Sequence, residues 1–129
     1  MVAHGTIAFD TLTTSDQVNT GTEKSLDTSY IFNGTPKAWC NWATAASFSI
    51  YDSFNITSLT DNGAGNTKPV LTNIMANDDY AYIGFCNETN YMGNNDERTT
   101  ATFKLLSQNS SHSNTDCSDN NVAVHGDLA

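Results

Sequence analysis

The sequence predicts an all-β protein, an antiparallel β-sandwich or jelly-roll-like domain preceded by an extended N-terminal arm. Only 15% of the 129 residues are charged, whereas Ser, Thr, Asn and Gly are plentiful, which suits short strands and turns. Apolar and polar residues alternate in several short runs, as in strands with one buried face. Turn-forming residues separate these runs, so about six or seven short strands are expected and helix should be nearly absent.

Residues 1–35 are predicted to form the arm. Large apolar side chains are sparse in this segment and are separated by polar stretches such as TTSDQVNTGTEKS, so it cannot bury a core alone. We expect it to dock either on its own domain or on a neighbouring subunit. The side chains expected to make these arm or assembly contacts are Ile7, Phe9, Leu12, Tyr30 and Phe32.

Residues 36–129 are predicted to form the sandwich domain, and its first half contains a hairpin. Alternation predicts a strand in KAWCNW and a second strand around residues 48–51. Asn62-Gly63 then predicts a hairpin turn, because this pair tolerates positive φ. The returning strand, at about residues 67–72, contains Pro69. Proline has no N–H to give to a ladder, so we expect this strand either to lie at a sheet edge or to begin late.

The second half of the domain is predicted to alternate strands with two polar loops. Residues 80–85 should form a strand with Ala81, Ile83 and Phe85 on one face and the two tyrosines on the other. Further strands are expected at residues 99–106 and 122–126. Residues 87–98 and 107–121 are predicted to be solvated loops. The second loop has no apolar residue except Cys117 and is expected to stay outside the core.

Charge and cysteine content narrow the possible partners and the compartment. Fourteen acidic and five basic side chains give a net charge of −9, which disfavours nucleic acid and anionic lipid. We expect no signal peptide and no membrane insertion, since no apolar run is long enough to span a bilayer. The three cysteines are expected to be reduced thiols. Cys40 and Cys86 should be buried, whereas Cys117 could be reactive.

Four stretches of the domain resemble a module of tailed-bacteriophage tail-fibre and related virion proteins. KAWCNW resembles the "KAWVNF" box of that module, and SFNITSLTDNGAG resembles its "SFNVSSITDNGTG" segment. DYAY stands where the module has a tyrosine-rich strand, and NVAVHG resembles its closing "NVAVFG". The resemblance covers residues 35–127, with Cys40 in a valine position, Trp42 in a phenylalanine position, and Lys68-Pro69 interrupting a strand.

The resemblance implies a non-enzymatic structural protein of a tailed-phage virion. The expected role is a short tail-fibre or tail-tip module, homotrimeric, that helps the virion attach to the host surface. The alternative is a capsid decoration (cement) protein on the head surface. Either would be assembled in the bacterial host cytoplasm and reside in the virion. The expected partners are other copies of the chain, other virion proteins, and a host-surface glycan or protein.

Candidate site residues are surface groups rather than catalytic ones. No nucleophile elbow, phosphate-binding glycine loop or zinc-protease helix motif is present. The adjacent carboxylates Asp78-Asp79 and Asp96-Glu97 do not suggest the facing pair that glycan hydrolysis needs. No cofactor or metal is expected. The residues expected to contact a partner are Asn87, Tyr91, Asn94, Asn109, Ser111, His112 and Asn114. Solvated loops with no partner have the same composition, so that alternative stays open.

Overall fold

The computed structural model describes residues 11–13, 25–87, 91–94 and 97–129, with only the backbone described for residues 11–13, 25–27 and 91–94. The chain divides into two compact units, Met1–Thr35 and Pro36–Ala129.

The N-terminal unit contains a small hairpin and one short helix. Strands β1 (Thr11–Thr13) and β2 (Ser25–Asp27) pair antiparallel, with Leu12 opposite Leu26. Helix α1 (Thr28–Gly34) follows, so this part of the arm is helical rather than extended. No residue of α1 is buried, and Tyr30 and Phe32 are well exposed. The other two predicted arm contacts, Ile7 and Phe9, lie outside the described residues.

The second unit is a sandwich of two four-stranded antiparallel sheets, which confirms the predicted all-β sandwich. The first sheet comprises β3 (Ala38–Ala43), β4 (Ser49–Phe54), β7 (Ala81–Cys86) and β10 (Asn120–His125) in the order β4-β3-β10-β7. The second comprises β5 (Ile56–Asp61), β6 (Asn66–Leu71), β8 (Tyr91–Asn94) and β9 (Leu105–Gln108) in the order β5-β6-β9-β8. This order does not confirm the jelly-roll variant.

The core lies between the inner faces of the two sheets, as the alternation predicts. Ala38, Cys40 and Trp42 of β3 point inward and are buried. Val122 and Val124 of the adjacent β10 are buried beside them. The other buried apolar residues that complete this cluster are Leu71, Met75, Tyr80, Phe103 and Leu105. Removal of these side chains from water is the main favourable contribution to the stability of the domain.

Buried hydrogen bonds also link the two sheets. The Asn120 side chain of β10 accepts a bond from the Ser107 hydroxyl of β9 at 2.6 Å and donates to the Trp42 carbonyl at 3.2 Å. The Trp42 indole N–H donates in turn to the Thr67 hydroxyl of β6 at 3.3 Å. Because Asn120 is fully buried, leaving its amide unpaired would cost about 1–3 kcal/mol. These bonds therefore favour one relative position of the sheets.

The position of Pro69 corrects one prediction, because β6 is an interior strand and not an edge strand. It lies between β5 and β9, and Pro69 pairs with Leu59 of β5. The Pro69 carbonyl accepts a bond from the Phe103 N–H at 3.4 Å. In an antiparallel strand the nitrogen and the carbonyl of a residue point to the same side, so the missing N–H of Pro69 also lies on the side of Phe103. On this side the regular pairing with β9 is confined to Asn66 and Thr67. Proline is tolerated at position 69 because the regular β6–β9 ladder ends at Thr67, so no ladder bond requires an N–H there.

The segment before β9 also differs from the prediction. Only Leu105–Gln108 is strand, and residues 99–102 form a turn. The Thr99 hydroxyl accepts bonds from the backbone N–H groups of Ala101 and Thr102, so its side chain competes with a strand ladder. Conversely, Tyr91–Asn94, predicted as loop, forms β8, because its backbone pairs with β9.

The connection between β5 and β6 confirms the predicted hairpin with a longer turn. It occupies residues 62–65, and it is closed by bonds from the Asn62 N–H to the Asn66 carbonyl and from the Asn66 N–H to the Gly63 carbonyl, both at 2.9 Å. The positive φ values fall on Gly63 (102°) and Gly65 (59°). Both glycines of the DNGAG sequence therefore supply the backbone freedom that the turn requires.

The prediction for Cys117 is wrong, because this cysteine is fully buried. Its carbonyl accepts bonds from the backbone N–H groups of Thr44 and Ala45, and its own N–H donates to the Thr44 hydroxyl. These backbone bonds hold Cys117 against the core, although the segment around it is polar. Cys40 is buried as predicted, whereas Cys86 is half-buried. Burial, and secondarily the Asp52 carboxylate, raises the pKa of Cys40 to about 11.

We predict that a single thiol of the native protein reacts rapidly with an aromatic disulfide reagent at pH 8. Cys86 should react, because Cys40 and Cys117 are covered and Cys40 holds its proton. All three should react in guanidinium. The measurement is absorbance of the released thiolate, and Cys86→Ser should abolish the rapid phase. Rapid reaction of two or three native thiols would contradict the described burial.

Asn55, which lies in the SFNI part of the resembling segment, connects three parts of the chain. It has a positive φ of 56° between β4 and β5. Its side-chain NH₂ donates to the carbonyls of Lys37 (2.9 Å) and Asn73 (3.1 Å), and its side-chain oxygen accepts from the Asn73 N–H at 2.7 Å. Asparagine is one of the few residues that tolerate this backbone conformation. The presence of asparagine at this position of the SFNI stretch is therefore explained by its structural role.

We expect Asn55→Ala to lower the free energy of unfolding by about 2–3 kcal/mol, because it removes these bonds and places alanine at positive φ. Asn55→Gly loses the same bonds without the backbone strain, so it should be about 1 kcal/mol less damaging. Urea unfolding followed by tryptophan fluorescence measures both. Equal stability of Asn55→Ala and the native chain would show that the connection does not matter.

Candidate functional site

Residues 109–114, called here the contact loop, contain four of the seven predicted contact residues. The loop is closed by a bridge between Gln108 and Asn114, whose side chains also bond at 3.1 Å. The side-chain oxygen of Asn109 accepts the backbone N–H groups of Ser111 (2.9 Å) and Ser113 (3.1 Å). These bonds hold the loop in one compact turn.

The tip of the contact loop is exposed. Residues 110–114 all face solvent, and His112 has a positive φ of 59°. The His112 backbone N–H donates to the Asn109 carbonyl at 2.9 Å. The tip therefore presents hydroxyl, amide and imidazole groups on an ordered backbone. Such groups can donate and accept hydrogen bonds to sugar hydroxyls or to peptide groups.

The base of the contact loop is fastened to the β5–β6 turn. The Thr115 N–H donates to the Ser107 carbonyl at 2.9 Å, and the Ser107 N–H donates to the Gly65 carbonyl at 2.8 Å. The Gly65 N–H donates in turn to the Asp116 carboxylate at 2.8 Å. Sequence reasoning missed this role of Gly65. A glycine at this position indicates that another backbone segment approaches closely. The sequence does not say which segment, because Ser107 and Asp116 are distant from Gly65 along the chain.

The other three predicted contact residues lie in different places. The Tyr91 backbone pairs with Gln108, next to the contact loop, whereas Asn94 pairs with Leu105 at the other end of β8. Asn87 is used structurally. Its side chain donates to the Ser118 hydroxyl at 3.0 Å and accepts from the Asp119 N–H at 3.1 Å. The structure thus brings Tyr91, but not Asn87 or Asn94, beside the contact loop.

A second surface, on the outer face of the first sheet, was missed by sequence reasoning. Phe54, Trp39 and Ile83 are exposed there, although such residues usually point into a core. A polar cluster lies beside them, in which Asn41 donates to Asp119 (2.7 Å) and to Asn121 (2.6 Å). The alternation gave the two faces of each strand, but for β7 it did not say which face is buried.

The described residues assemble no metal-binding group. Within the ranges for which side chains are described, no three His, Cys, Asp or Glu residues lie close enough together to hold an ion. Asp78 and Asp79 are both exposed, on the loop before β7.

Comparison with models of protein families, with curated proteins and with solved structures finds no match for this chain. Among the described residues, no helix has the length and apolar character needed to cross a membrane.

We predict that Gly65→Ala releases the contact loop and destabilises the domain by about 3 kcal/mol. A Cβ here would lie 2.6 Å from the backbone N and O of Thr115 and closer still to the Ser107 carbonyl oxygen, at a φ that strains alanine. Gly63→Ala is the matched control, since its Cβ would meet nothing within 4 Å. It should cost only about 1 kcal/mol of backbone strain.

Hydrogen exchange of residues 107–116 and urea unfolding measure the effect of Gly65→Ala. Equal effects of the two glycine substitutions would mean that the loop is not held through Gly65.

Proposed function

We propose that this protein is a structural component of a tailed-phage virion, a short tail-fibre or tail-tip module whose contact loop touches the host surface. The observation that carries this proposal is the contact loop itself, which combines an ordered backbone with an exposed polar tip. A loop that is already ordered loses less conformational entropy when it binds, so more of its contact energy remains as affinity. The resemblance of four stretches of the domain to virion proteins supports the same role.

The composition of the contact loop fits a neutral, hydroxyl-rich or amide-rich partner. Ser111, Ser113 and Asn114 are exposed and uncharged, and the loop contains no Asp, Glu, Lys or Arg. The net charge of −9 opposes approach to a strongly anionic surface. A host glycan with many hydroxyl groups, or a protein surface of similar polarity, matches this loop better than phosphate does.

The proposal includes a homotrimer. Helix α1 buries none of its residues, and the aromatic side chains of Tyr30 and Phe32 are exposed. Apolar side chains of this size gain several kcal/mol when they are removed from water, and association of copies in closed symmetry removes equivalent surfaces together. The arm is the segment that we propose to make assembly contacts.

The second candidate is a capsid decoration protein that binds the head surface. The observation that favours it is the same exposed apolar arm, because a cement protein needs a segment that attaches to neighbouring capsid subunits. Both roles use the same sandwich. They differ in where the protein sits on the particle and in whether the contact loop affects host adsorption.

Removing the side chains of the contact loop tests the proposed function. The variant Ser111→Ala, His112→Gly, Ser113→Ala keeps the backbone N–H groups that Asn109 accepts, and glycine tolerates the positive φ of position 112. We expect virions carrying it to adsorb to host cells at least about tenfold more slowly, while the isolated domain keeps its stability to within about 0.5 kcal/mol.

The control for this experiment is Ser58→Ala with Thr60→Ala, two exposed residues of β5. It should leave adsorption unchanged. Normal adsorption of virions that contain the loop variant at normal copy number would reject the host-contact role. Electron microscopy of the same virions, labelled through this chain, then separates the candidates: tail density supports the fibre role, and many copies over the head support the cement role.

A further inference from the structure

Tyr80, just before strand β7, and Tyr82 within it point inward, whereas the large apolar side chains of β7 point outward. The Tyr80 hydroxyl lies 2.9 Å from both the Thr99 and Thr102 carbonyls, and the Tyr82 ring packs on Phe103 with centroids 4.9 Å apart. The alternation of the strand then directs Ile83 and Phe85 to the opposite face. Both tyrosine hydroxyls have hydrogen-bond partners on the inner side of the sheet. The side chains of Ile83 and Phe85 remain exposed in the described part of the domain.

The strand registers align these outward residues with others of the same kind. Phe54 of β4 lies opposite Trp39 of β3, Trp39 lies opposite Ala123 of β10, and Ala123 lies opposite Ile83 of β7. Directly opposite residues in antiparallel strands point to the same face. An apolar row therefore crosses all four strands, about 14 Å from edge to edge at the usual strand spacing. We call this row, together with Phe85 beside it, the apolar patch.

The apolar patch is too exposed and too continuous to be scattered surface residues. The exposed fractions are 55% for Phe54, 38% for Trp39, 58% for Ile83 and 67% for Phe85. Together these side chains leave on the order of 400 Å² of apolar surface in water. A patch of this size is about as large as the largest apolar patch on a typical monomer, and such patches are often functional. A stable interface buries about 800 Å² on each partner, so the patch can supply its central part.

The charge distribution indicates what covers the patch. Two copies of a chain with a net charge of −9 repel each other, so copies associate most easily through a surface that contains no charge. The apolar row has none. The nearest polar neighbours form a second row, in which Asp52 lies opposite Asn41 and Asn41 opposite its partner Asn121 on β10. The charged groups on this face, Asp52 and the Asp119 that Asn41 binds, lie in or beside that second row, so another copy can cover the apolar row without placing them at the centre of the contact.

The shape of the patch also fits another copy of itself. It lies on an antiparallel sheet and reaches both edge strands, β4 and β7. Around a three-fold axis every copy turns the same residues towards the axis, so that three patches enclose one shared apolar interior.

We propose that the apolar patch is the surface through which copies of this chain pack against one another. This inference rests on the self-association included in the proposed function and assigns it to particular side chains. Trp39, Ile83 and Phe85 form the buried centre of the contact, and the row of Asp52, Asn41 and Asn121 forms its polar rim.

The test compares the molar mass of the full chain with that of a variant, using light scattering coupled to size exclusion at micromolar concentrations. Ile83→Thr with Phe85→Thr removes apolar surface and introduces β-compatible residues without adding charge. We expect the native chain to run as a trimer and this variant as a monomer, with association weakened at least a hundredfold. Phe54→Thr, on the opposite edge strand, should weaken association independently.

The matched control is Ile74→Thr. Ile74 is 46% exposed and lies outside the strands of the first sheet, so the same substitution there should leave the mass unchanged. Circular dichroism and thermal unfolding establish that each variant is folded. As a measurement on the unaltered chain, acrylamide quenching of tryptophan should rise on dilution, because Trp39 becomes accessible while Trp42 stays buried.

The outcomes separate this inference from the proposed function. A trimer that survives both patch variants overturns the patch assignment and leaves the trimer intact. A native dimer that the patch variants dissociate supports the patch and corrects the number of copies. A native chain that stays monomeric up to 100 µM overturns both the patch contact between copies and the trimer, and leaves the host-contact role of the loop to its own test.

Discussion

The buried side chain of Asn120 constrains the rest of the sandwich. Its oxygen accepts from Ser107 in the second sheet, and its NH₂ group donates to the carbonyls of Trp42 and Cys117 in or beside the first sheet. An apolar core alone sets only an approximate distance between sheets, because dispersion and burial are not directional. Hydrogen bonds are directional, and a buried amide is costly when its partners move away. The Asn120 side chain therefore favours one relative position of the two sheets.

The position of the contact loop follows from this constraint. Residues 107 and 117 flank the loop, and both are bonded to Asn120 in the core. Gly65 and Asp116 add a second attachment at the base of the loop. The polar residues between these points have no core position to occupy and turn outward. The loop has a composition typical of disordered segments, but its two ends are fixed to the domain. A rigid scaffold that positions an exposed loop is the usual arrangement of a binding loop.

The sequence predicted those parts of the fold that depend on local pattern. Alternation identified the inward residues of β3, and Asn-Gly located the β5–β6 hairpin. Failures occurred where distant bonds decided the outcome: Pro69 fits an interior strand because the neighbouring ladder opens, and Cys117 is buried because Thr44 and Ala45 bind its carbonyl. Four predicted contact residues fall in one loop. The apolar patch was not predictable, because it depends on the registers of four strands.

The two proposed surfaces have different requirements. A contact between two copies buries about 400 Å² of apolar surface on each, which gains on the order of 20 kcal/mol at about 25 cal/mol per Å². Association costs an estimated 4–15 kcal/mol of lost freedom, in addition to the ordering of side chains at the interface. The margin of the apolar patch is therefore modest, and a second apolar contact through α1, where Tyr30 and Phe32 are exposed, would widen it. The contact loop would need no such area, because several copies held together multiply a weak contact into strong attachment. Under the proposal, assembly through apolar surface and recognition through a small polar loop are thus complementary uses of the same sandwich.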